Sequence, residues 1–258
     1  MSDKILVCKI GGKLAADAKL LKLFTEDLGQ FTAEYQIVLV HGGGKEVSQL
    51  TEKLLGQKPI FKSGLRQTTP AEMDIVEMVL SGLVNKRLVR LLQSNGLNAV
   101  GLCGADGSLF VSQSLDNPTC QRTGKIITVK PLLLKLLLAN DFLPIISSTS
   151  CDYEGNGLNI NADEAALEVA AALKAWGLIF ISDIPGVLKD GSPIPLLTQD
   201  QALEQIKAGI ISGGMIPKVE SSLDALKRGV GRVIIGEYKQ PGDLKALFIA
   251  EQGTTISL

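Results

Sequence analysis

Residues 37–45 read I-V-L-V-H-G-G-G-K: four apolar residues of strand type, then a histidine and three consecutive glycines. The reading is a buried strand that ends in a turn stripped of Cβ atoms. Such a turn can adopt positive φ and bring bare N–H groups to van der Waals distance from a ligand. From Glu46 onward Val47, Leu50 and Leu54 fall on one helical face, so these N–H groups lie at a helix N-terminus, where the dipole favours an anion. Residues 5–10 repeat the design, running I-L-V-C-K-I into Gly11 and Gly12 with Lys9 inside the strand. A charge in a buried strand needs a reason. One glycine turn alone is ordinary turn chemistry, and neither stretch matches G-x-x-x-x-G-K-[ST] or G-x-G-x-x-G. Two of them so close together, one beside a lysine, point to an anion site shared by neighbouring strands.

The 258-residue chain is 45% hydrophobic and carries 26 basic and 27 acidic residues, a formal net charge of −1. That length builds one large α/β domain or two lobes. The charge balance offers no basic field for nucleic acid or an anionic membrane, so a small molecule is the expected partner. Cys8, Cys103, Cys120 and Cys151 show neither C-x-x-C nor zinc spacing and read as free thiols of a reducing compartment. The opening M-S-D-K-I leads straight into a strand, leaving no room for a signal peptide, and no apolar run reaches membrane-spanning length. The expectation is a soluble, cytoplasmic protein.

Between the two glycine-ended strands, Leu20, Leu21, Phe24, Leu28 and Phe31 mark a helical face, which implies a parallel βαβ unit. Residues 58–66, K-P-I-F-K-S-G-L-R, carry Lys62 and Arg66 on an extended segment expected to form a hairpin or lid near the glycine turns. Thr69, Pro70 and Glu72 form a capping box that opens a helix running to about Ser94. Its apolar positions are too broad for one stripe, so it is either deeply buried or packed on a second subunit. Strands are expected at 99–102, 126–129, 143–146, 178–181 and 232–235, helices at 132–139, 164–174, 199–208 and 217–228, and a hairpin turn at 153–157. No composition break marks a linker. The predicted fold class is α/β: a single three-layer αβα sandwich around a mostly parallel central sheet.

N-I-N-A-D places Asn159, Asn161 and Asp163 at alternate positions, which in extended chain point the same way. The same residues also make an N-cap for the Ala-rich helix, and the two readings stand equal. S-D-I-P-G-V, residues 182–187, ends another strand in polar residues and a turn. Gly213 and Gly214 precede a helix read as starting at Pro217, with Lys218 beside it. A helix N-terminus disfavours a cation unless an anion sits there too. His41 is the lone histidine, so a Ser-His-Asp or Cys-His relay has no other candidate base. No H-E-x-x-H or cysteine cluster makes a metal cage, so a metal would arrive with phosphates, as Mg2+ does with ATP. Lysines at strand and helix ends, glycine turns and one organising acid are the parts of phosphoryl transfer.

V-C-K-I-G-G-K, V-L-V-H-G-G-G, G-L-R with the following T-P-A-E, G-L-C-G-A-D-G, N-I-N-A-D-E-A-A, S-D-I-P-G-V-L and I-S-G-G-M-I-P-K-V occur in this order, from Leu6 towards the terminal G-T-T-I. In that ordered set the chain resembles the amino-acid kinase superfamily and, within it, the acetylglutamate kinase family of arginine biosynthesis. Lys45 stands where such relatives often carry proline. The resemblance implies transfer of the ATP γ-phosphate to the γ-carboxylate of N-acetyl-L-glutamate, with Mg2+ held through the ATP phosphates. It implies Lys9 and Lys218 at the transferring phosphoryl group, with Asp163 between them as organiser. Gly43, Gly44, Arg66, Asn159 and Asn161 would surround the acceptor, Arg66 suiting its α-carboxylate and Asn159 its acetylated nitrogen. Gly11, Gly12, Ser182, Asp183, Gly186, Val187, Leu188, Ile211, Ser212 and Gly213 would surround the nucleotide. The chain is then expected to divide into an acceptor lobe at about 1–175 and a nucleotide lobe at about 176–258.

The implied chemistry agrees with the parts. A carboxylate of pKa ~4.3 is already an anionic nucleophile at neutral pH, so no general base is required and the difficulty is repulsion between anions. Kinases of the same fold acting on N-acetyl-aminoadipate, aspartate or carbamate would use the same phosphate machinery. A non-catalytic nucleotide-binding regulatory subunit is a further alternative, although pure binding has no need of two lysines at the transferring phosphate. Arginine-inhibited members of the resembled family carry an additional N-terminal helix that joins dimers into a hexamer. Only eight residues precede Lys9, so the expectation is a homodimer that arginine does not inhibit, joined through the helix that begins at Pro70.

Overall fold

Strands built from Val, Ile and Leu with no polar face need cover on both sides, and the computed structural model supplies it. The structure describes residues 4–62, 64–115, 121–213 and 215–258. Cys120 and Gly214, read above as a free thiol and as half of a glycine pair, lie outside the described residues. The central sheet comprises β1 (Ile5–Ile10), β2 (Gln36–His41), β3 (Ala99–Cys103), β4 (Leu143–Ser147), β5 (Gly177–Ile181), β6 (Leu196–Thr198), β7 (Val233–Gly236) and β8 (Thr254–Ser257). Their spatial order is β6-β8-β7-β5-β1-β2-β4-β3. From β7 to β3 all pairs are parallel; β8 runs against β7, and β6 pairs parallel with β8.

Successive side chains of a strand face opposite layers. Val7, Val38, Val40 and Phe180 pack with Ala166, Ala170, Val219 and Leu223 on one side, while Leu6, Cys8, Ile10 and Leu39 pack with Leu21, Phe24, Leu88 and Leu92 on the other. The first layer holds α6 (Leu132–Ala139), α7 (Ala162–Leu173), α8 (Gln199–Lys207) and α9 (Met215–Lys227), and the second holds α2 (Ala18–Gly29), α3 (Gly44–Leu55), α4 (Pro70–Glu77), α5 (Asn85–Ser94) and α10 (Asp243–Phe248). A short α1 (Gly12–Ala16) follows β1 directly. The result is the predicted α/β sandwich around a mostly parallel sheet. Cys8 is wholly buried in β1, and Cys8, Cys103 and Cys151 carry free thiols. Among the described residues no helix is long and apolar enough to cross a membrane.

Several expectations are corrected. The strand expected at 126–129 forms, but outside the central sheet: Gly124–Val129 pairs antiparallel with Phe110–Ser114 in a separate hairpin, whose first strand the sequence reading passed over. The helix read from Pro217 begins at Met215, so Pro217 sits inside its first turn, where no intrahelical N–H is needed. The chain leaves its extended course at Ala162, so Asp163 belongs to the first turn of α7 and not to one face of an extended N-I-N-A-D. The long helix opened by the Thr69–Glu72 capping box does run to Ser94, but Met78–Val84 between α4 and α5 is π-helical. Met78 and Leu83 of that segment are exposed, whereas Leu80 and Val84 are buried. The 58–66 segment forms the expected hairpin, pairing Phe61–Lys62 with Leu65–Arg66.

Candidate active site

Parallel pairing brings strand ends together. Lys9 of β1 stands level with Val40 of β2 and Phe180 of β5, and His41 stands level with Ser147 of β4. Helices α1, α3 and α7 all start at this carboxyl edge of the sheet, the usual place for a ligand crevice in open α/β sheets.

Lys9 shares its strand face with Val7, so it points to the layer of α7 and α9. Asn161 caps α7 by accepting from the N–H groups of Asp163 and Glu164, and this fixes Asp163 in the first turn, where the dipole favours an acid. Asp163 Oδ1 lies 2.8 Å from Lys9 Nζ and its Oδ2 3.3 Å from Lys218 Nζ on the first turn of α9. Burial alone would push the Asp163 carboxyl up, but the two ammonium groups outweigh it and hold the pKa below the usual carboxylate range. Lys218 also donates to Ser182 Oγ at 3.4 Å and lies 5.1 Å from the centre of the Phe180 ring. One carboxylate thus holds two cations that would otherwise repel each other.

The turn after β1 is shaped by the same charges. A Cβ at Gly11 would stand 2.6 Å from Lys9 Nζ. Gly12, at φ +54°, has no room for a Cβ because the Asp183 carboxylate occupies that space. Gly213, also at positive φ, lines a cavity of about 1070 Å³ with Asp163, Phe180, Met215, Pro217 and Lys218. Lys9, Gly11, Gly12, Asp163, Ser182, Asp183, Gly213 and Lys218 therefore gather at one place. Four of the expected nucleotide residues are placed differently. Val187 is buried and donates its N–H to Thr254 Oγ1 at 2.9 Å. Gly186 packs against Thr254, Gly253 and Pro193, Leu188 opens a hairpin with Pro193, and Ile211 is buried. Ser212 is exposed beside Gly213.

A second, smaller cavity of about 170 Å³ adjoins the first, lined by Gly42, Gly43, Gly44, Arg66, Asn159 and Asn161 among others. Gly64, Leu65 and Asn161 border both cavities, so the tip of the Phe61–Arg66 hairpin stands between them. Arg66 is buried; its Nη2 donates to Gly44 O (2.9 Å) and Ser48 Oγ (2.6 Å), Phe61 covers the guanidinium, and Nη1 has no protein partner. A buried guanidinium with one nitrogen unsatisfied at a cavity wall is built for an anion. Asn159 Nδ2 donates to Thr68 Oγ1 at 2.9 Å, and Thr123 Oγ1 donates to Arg66 O at 2.7 Å, which ties these walls together. The sequence reading missed Ser48, Phe61, Thr123 and Ser148. The S-S-T-S run that begins with the last residue of β4 was the visible signal for Ser148, since polar residues seldom end a buried strand without a cavity to face.

The geometry offers two adjoining cavities, a small one with an anion-seeking arginine and a large one lined by Asp163 and Lys218, with Lys9 paired to that aspartate. The model of the amino acid kinase family matches residues 4–237. An acetylglutamate kinase of Geobacillus sp. (strain WCH70) is 40% identical over 92% of this chain and 92% of its own length. The crystal structure of smu.665 from Streptococcus mutans UA159 superposes with a TM-score of 0.80 at 32% identity, covering 100% of this chain and 99% of that one. Carbamate kinase from Giardia lamblia bound to AMP-PNP shares the fold, with a TM-score of 0.70 at 18% identity over 98% of both chains. With the family model matched along most of its length and a full-length relative at this identity, the chain belongs to the amino acid kinase family.

Proposed function

We propose that the chain is an acetylglutamate kinase: it transfers the γ-phosphate of ATP to the γ-carboxylate of N-acetyl-L-glutamate, giving N-acetyl-L-glutamyl 5-phosphate and ADP, a step of arginine biosynthesis. One observation carries the reading on the side of geometry. Arg66, whose Nη1 has no protein partner, and Asn159 line a cavity sized for an acyl amino acid, and Asp163 and Lys218 of the Lys9–Asp163–Lys218 cluster line its neighbour. Arg66 holds the α-carboxylate, Asn159 faces the acetamido group, and the γ-carboxylate is directed towards the two lysines. Ionised at neutral pH, it attacks without a general base. Lys9 and Lys218 draw negative charge from the phosphoryl group as it transfers, and Asp163 keeps both ammonium groups in place without reorganisation.

ATP takes the larger cavity, with its phosphates towards Gly11, Gly12 and the start of α9. No group of three or more His, Cys, Asp or Glu among the described residues could hold a metal ion, so Mg2+ would be carried by the ATP phosphates, where it neutralises further charge. Residues at about 1–175 serve as the acceptor lobe and those at about 176–258 as the nucleotide lobe. The protein acts in the cytoplasm as a homodimer, with the exposed Met78 and Leu83 of the π-helical segment in the contact; light scattering at working concentration reads the assembly.

Hydroxylamine trapping of the acyl phosphate across acidic acceptors, each with and without an N-acetyl group, tests the substrate. N-Acetyl-L-glutamate should be the best acceptor and free glutamate a poor one, because the described lining of the cavity holds no carboxylate to pair with an ammonium. Equal or faster turnover of aspartate, carbamate or N-acetyl-aminoadipate overturns the assignment.

A further inference from the structure

The Gly42–Gly44 loop has its peptide planes pinned one by one. Gly42 N–H donates to Ile10 O at 3.3 Å, Val47 N–H donates to Gly43 O at 3.0 Å, and Gly44 O accepts from Arg66 Nη2 at 2.9 Å and Ser48 Oγ at 2.7 Å. The plane between Gly42 and Gly43 is pinned by a side chain, His41, whose Nδ1 is 2.9 Å from Gly42 O. Since the peptide is planar and trans, the direction of the Gly42 carbonyl sets the opposite direction of the Gly43 N–H. Gly43 lines the small cavity, and His41 itself does not.

His41 is wholly buried, as is Asn85. Asn85 Nδ2 lies 3.1 Å from His41 Nε2 and donates to Ile145 O at 2.9 Å, while its Oδ1 accepts from Lys86 Nζ at 3.0 Å. With the amide nitrogen facing it, Nε2 is the acceptor, so the ring proton belongs on Nδ1 and is donated to Gly42 O. Burial lowers the imidazole pKa to about 4, which keeps this neutral form in place at physiological pH. Asn85 follows directly on the π-helical segment, and from that segment Leu80 and Val84 press against Gly43, at 2.8 and 3.2 Å from where its Cβ would stand. A π turn shifts the side chains that follow it around the helix axis. One irregular segment thus supplies both the contact on Gly43 and the partner of His41.

We infer that His41 and Asn85 are positioning residues for phosphoryl transfer: Asn85 selects the imidazole tautomer, and the imidazole holds the Gly42–Gly43 peptide so that the Gly43 N–H is fixed at the wall of the acceptor cavity. This rests on the kinase reading given above. Nothing in the pair touches either cavity, so its effect reaches the reaction only through the loop.

The test compares His41→Ala, His41→Gln, His41→Asn and Asn85→Leu in the full chain. kcat is read with whichever acceptor of the hydroxylamine panel the native protein turns over fastest, alongside ATP affinity and the melting temperature. A native protein that rejects N-acetyl-L-glutamate overturns the substrate reading, and the ordering of the variants remains measurable. His41→Ala and His41→Gln should lose about 10²-fold in kcat, the scale of misplacing a reacting geometry by an ångström, with ATP affinity unchanged. His41→Asn carries an N–H donor at the same number of bonds from Cβ as Nδ1 and should recover at least tenfold of that loss, although it fills less of the site than glutamine. The amide resonance of Gly43 in 15N-glycine-labelled protein should move in the Gln variant and stay near its native position in the Asn variant, with no acceptor present. Unchanged kcat in His41→Ala, or an equal fall in the Gln and Asn variants that follows melting temperature alone, overturns the inference.

Discussion

Gly11 and Gly12, after β1, are crowded by the charged side chains of Lys9 and Asp183; Gly43, after β2, is crowded by Leu80 and Val84 of the core. In sequence the two turns look alike, a buried strand running into glycine. Physically they are held by opposite means. The first is shaped by ion pairs around Asp163 and depends on charge, and the second is shaped by apolar packing on Gly43 and by a neutral imidazole on Gly42 O, with Arg66 and Lys86 donating only at its margins. In a site built from both, charge sets the geometry of one turn and packing sets that of the other.

The largest effects should come from the charged turn. Lys9→Ala and Lys218→Ala are expected to lower kcat at least ~10²-fold, the scale for losing one preorganised donor, with little change in melting temperature. Steady-state kinetics at saturating ATP read this, and near-native kcat in either variant breaks the assignment of charge to the first turn. Arg66→Ala should act on the other cavity, raising KM for the acceptor on the order of tenfold or more while leaving kcat closer to native. A fall in kcat with KM unchanged would place Arg66 on the phosphoryl group instead.

The glycines sharpen the contrast. Gly43→Ala adds a methyl where Leu80 and Val84 already fill the space, so about 1–3 kcal/mol of stability should be lost in urea denaturation. Gly12→Ala sets a methyl against the Asp183 carboxylate at positive φ, so turnover should suffer more than stability. If both substitutions proved chiefly destabilising, the distinction between the turns would not hold. The smallest effect concerns pH. The His41 pKa lies at about 4 in the folded chain against an ordinary 6.5, so as pH falls the unfolded chain binds this proton first. Its stabilising effect is complete above about 6.5 and is lost on the way down to 4. Between pH 8 and pH 6 the loss should be about 1 kcal/mol, seen as a difference in denaturation midpoints that is absent in His41→Asn. Equal pH dependence in the two proteins would mean that the ring is not held neutral.

The strands with two buried faces were legible because a parallel sheet covered on both sides demands unbroken Val, Ile and Leu, and the Thr69–Glu72 capping box announced its helix from side-chain chemistry alone. What escaped was set by distant partners. β6 and β8 are short, and they become strands only because Leu197 and Ile256 pack beneath a sheet assembled from elsewhere. The π-helical turns at Met78–Val84 were hidden by an apolar pattern that continues through them, although Ser81 and Gly82 interrupt the run of strong helix formers. Lys9, Asp163 and Lys218 could be singled out as charges at element ends, but that one carboxylate touches both ammonium groups is a fact of three-dimensional closure. Val187 shows the reverse: it follows a polar turn in sequence, yet its own N–H is taken by Thr254.

Cys8 gives the middle of the sheet a chemical clock. Its thiol lies in the strand at the centre of the fold with no exposed surface, and burial pushes its pKa up to about 12, so a thiol reagent cannot reach a thiolate there while β1 keeps its neighbours. Labelling of Cys8, resolved by mass spectrometry from that of Cys103 and Cys151, therefore counts the openings of the central strands and not the breathing of loops. If ligands bridge the two glycine turns, their binding should slow that clock in proportion to how much more tightly they hold the closed sheet than the open one.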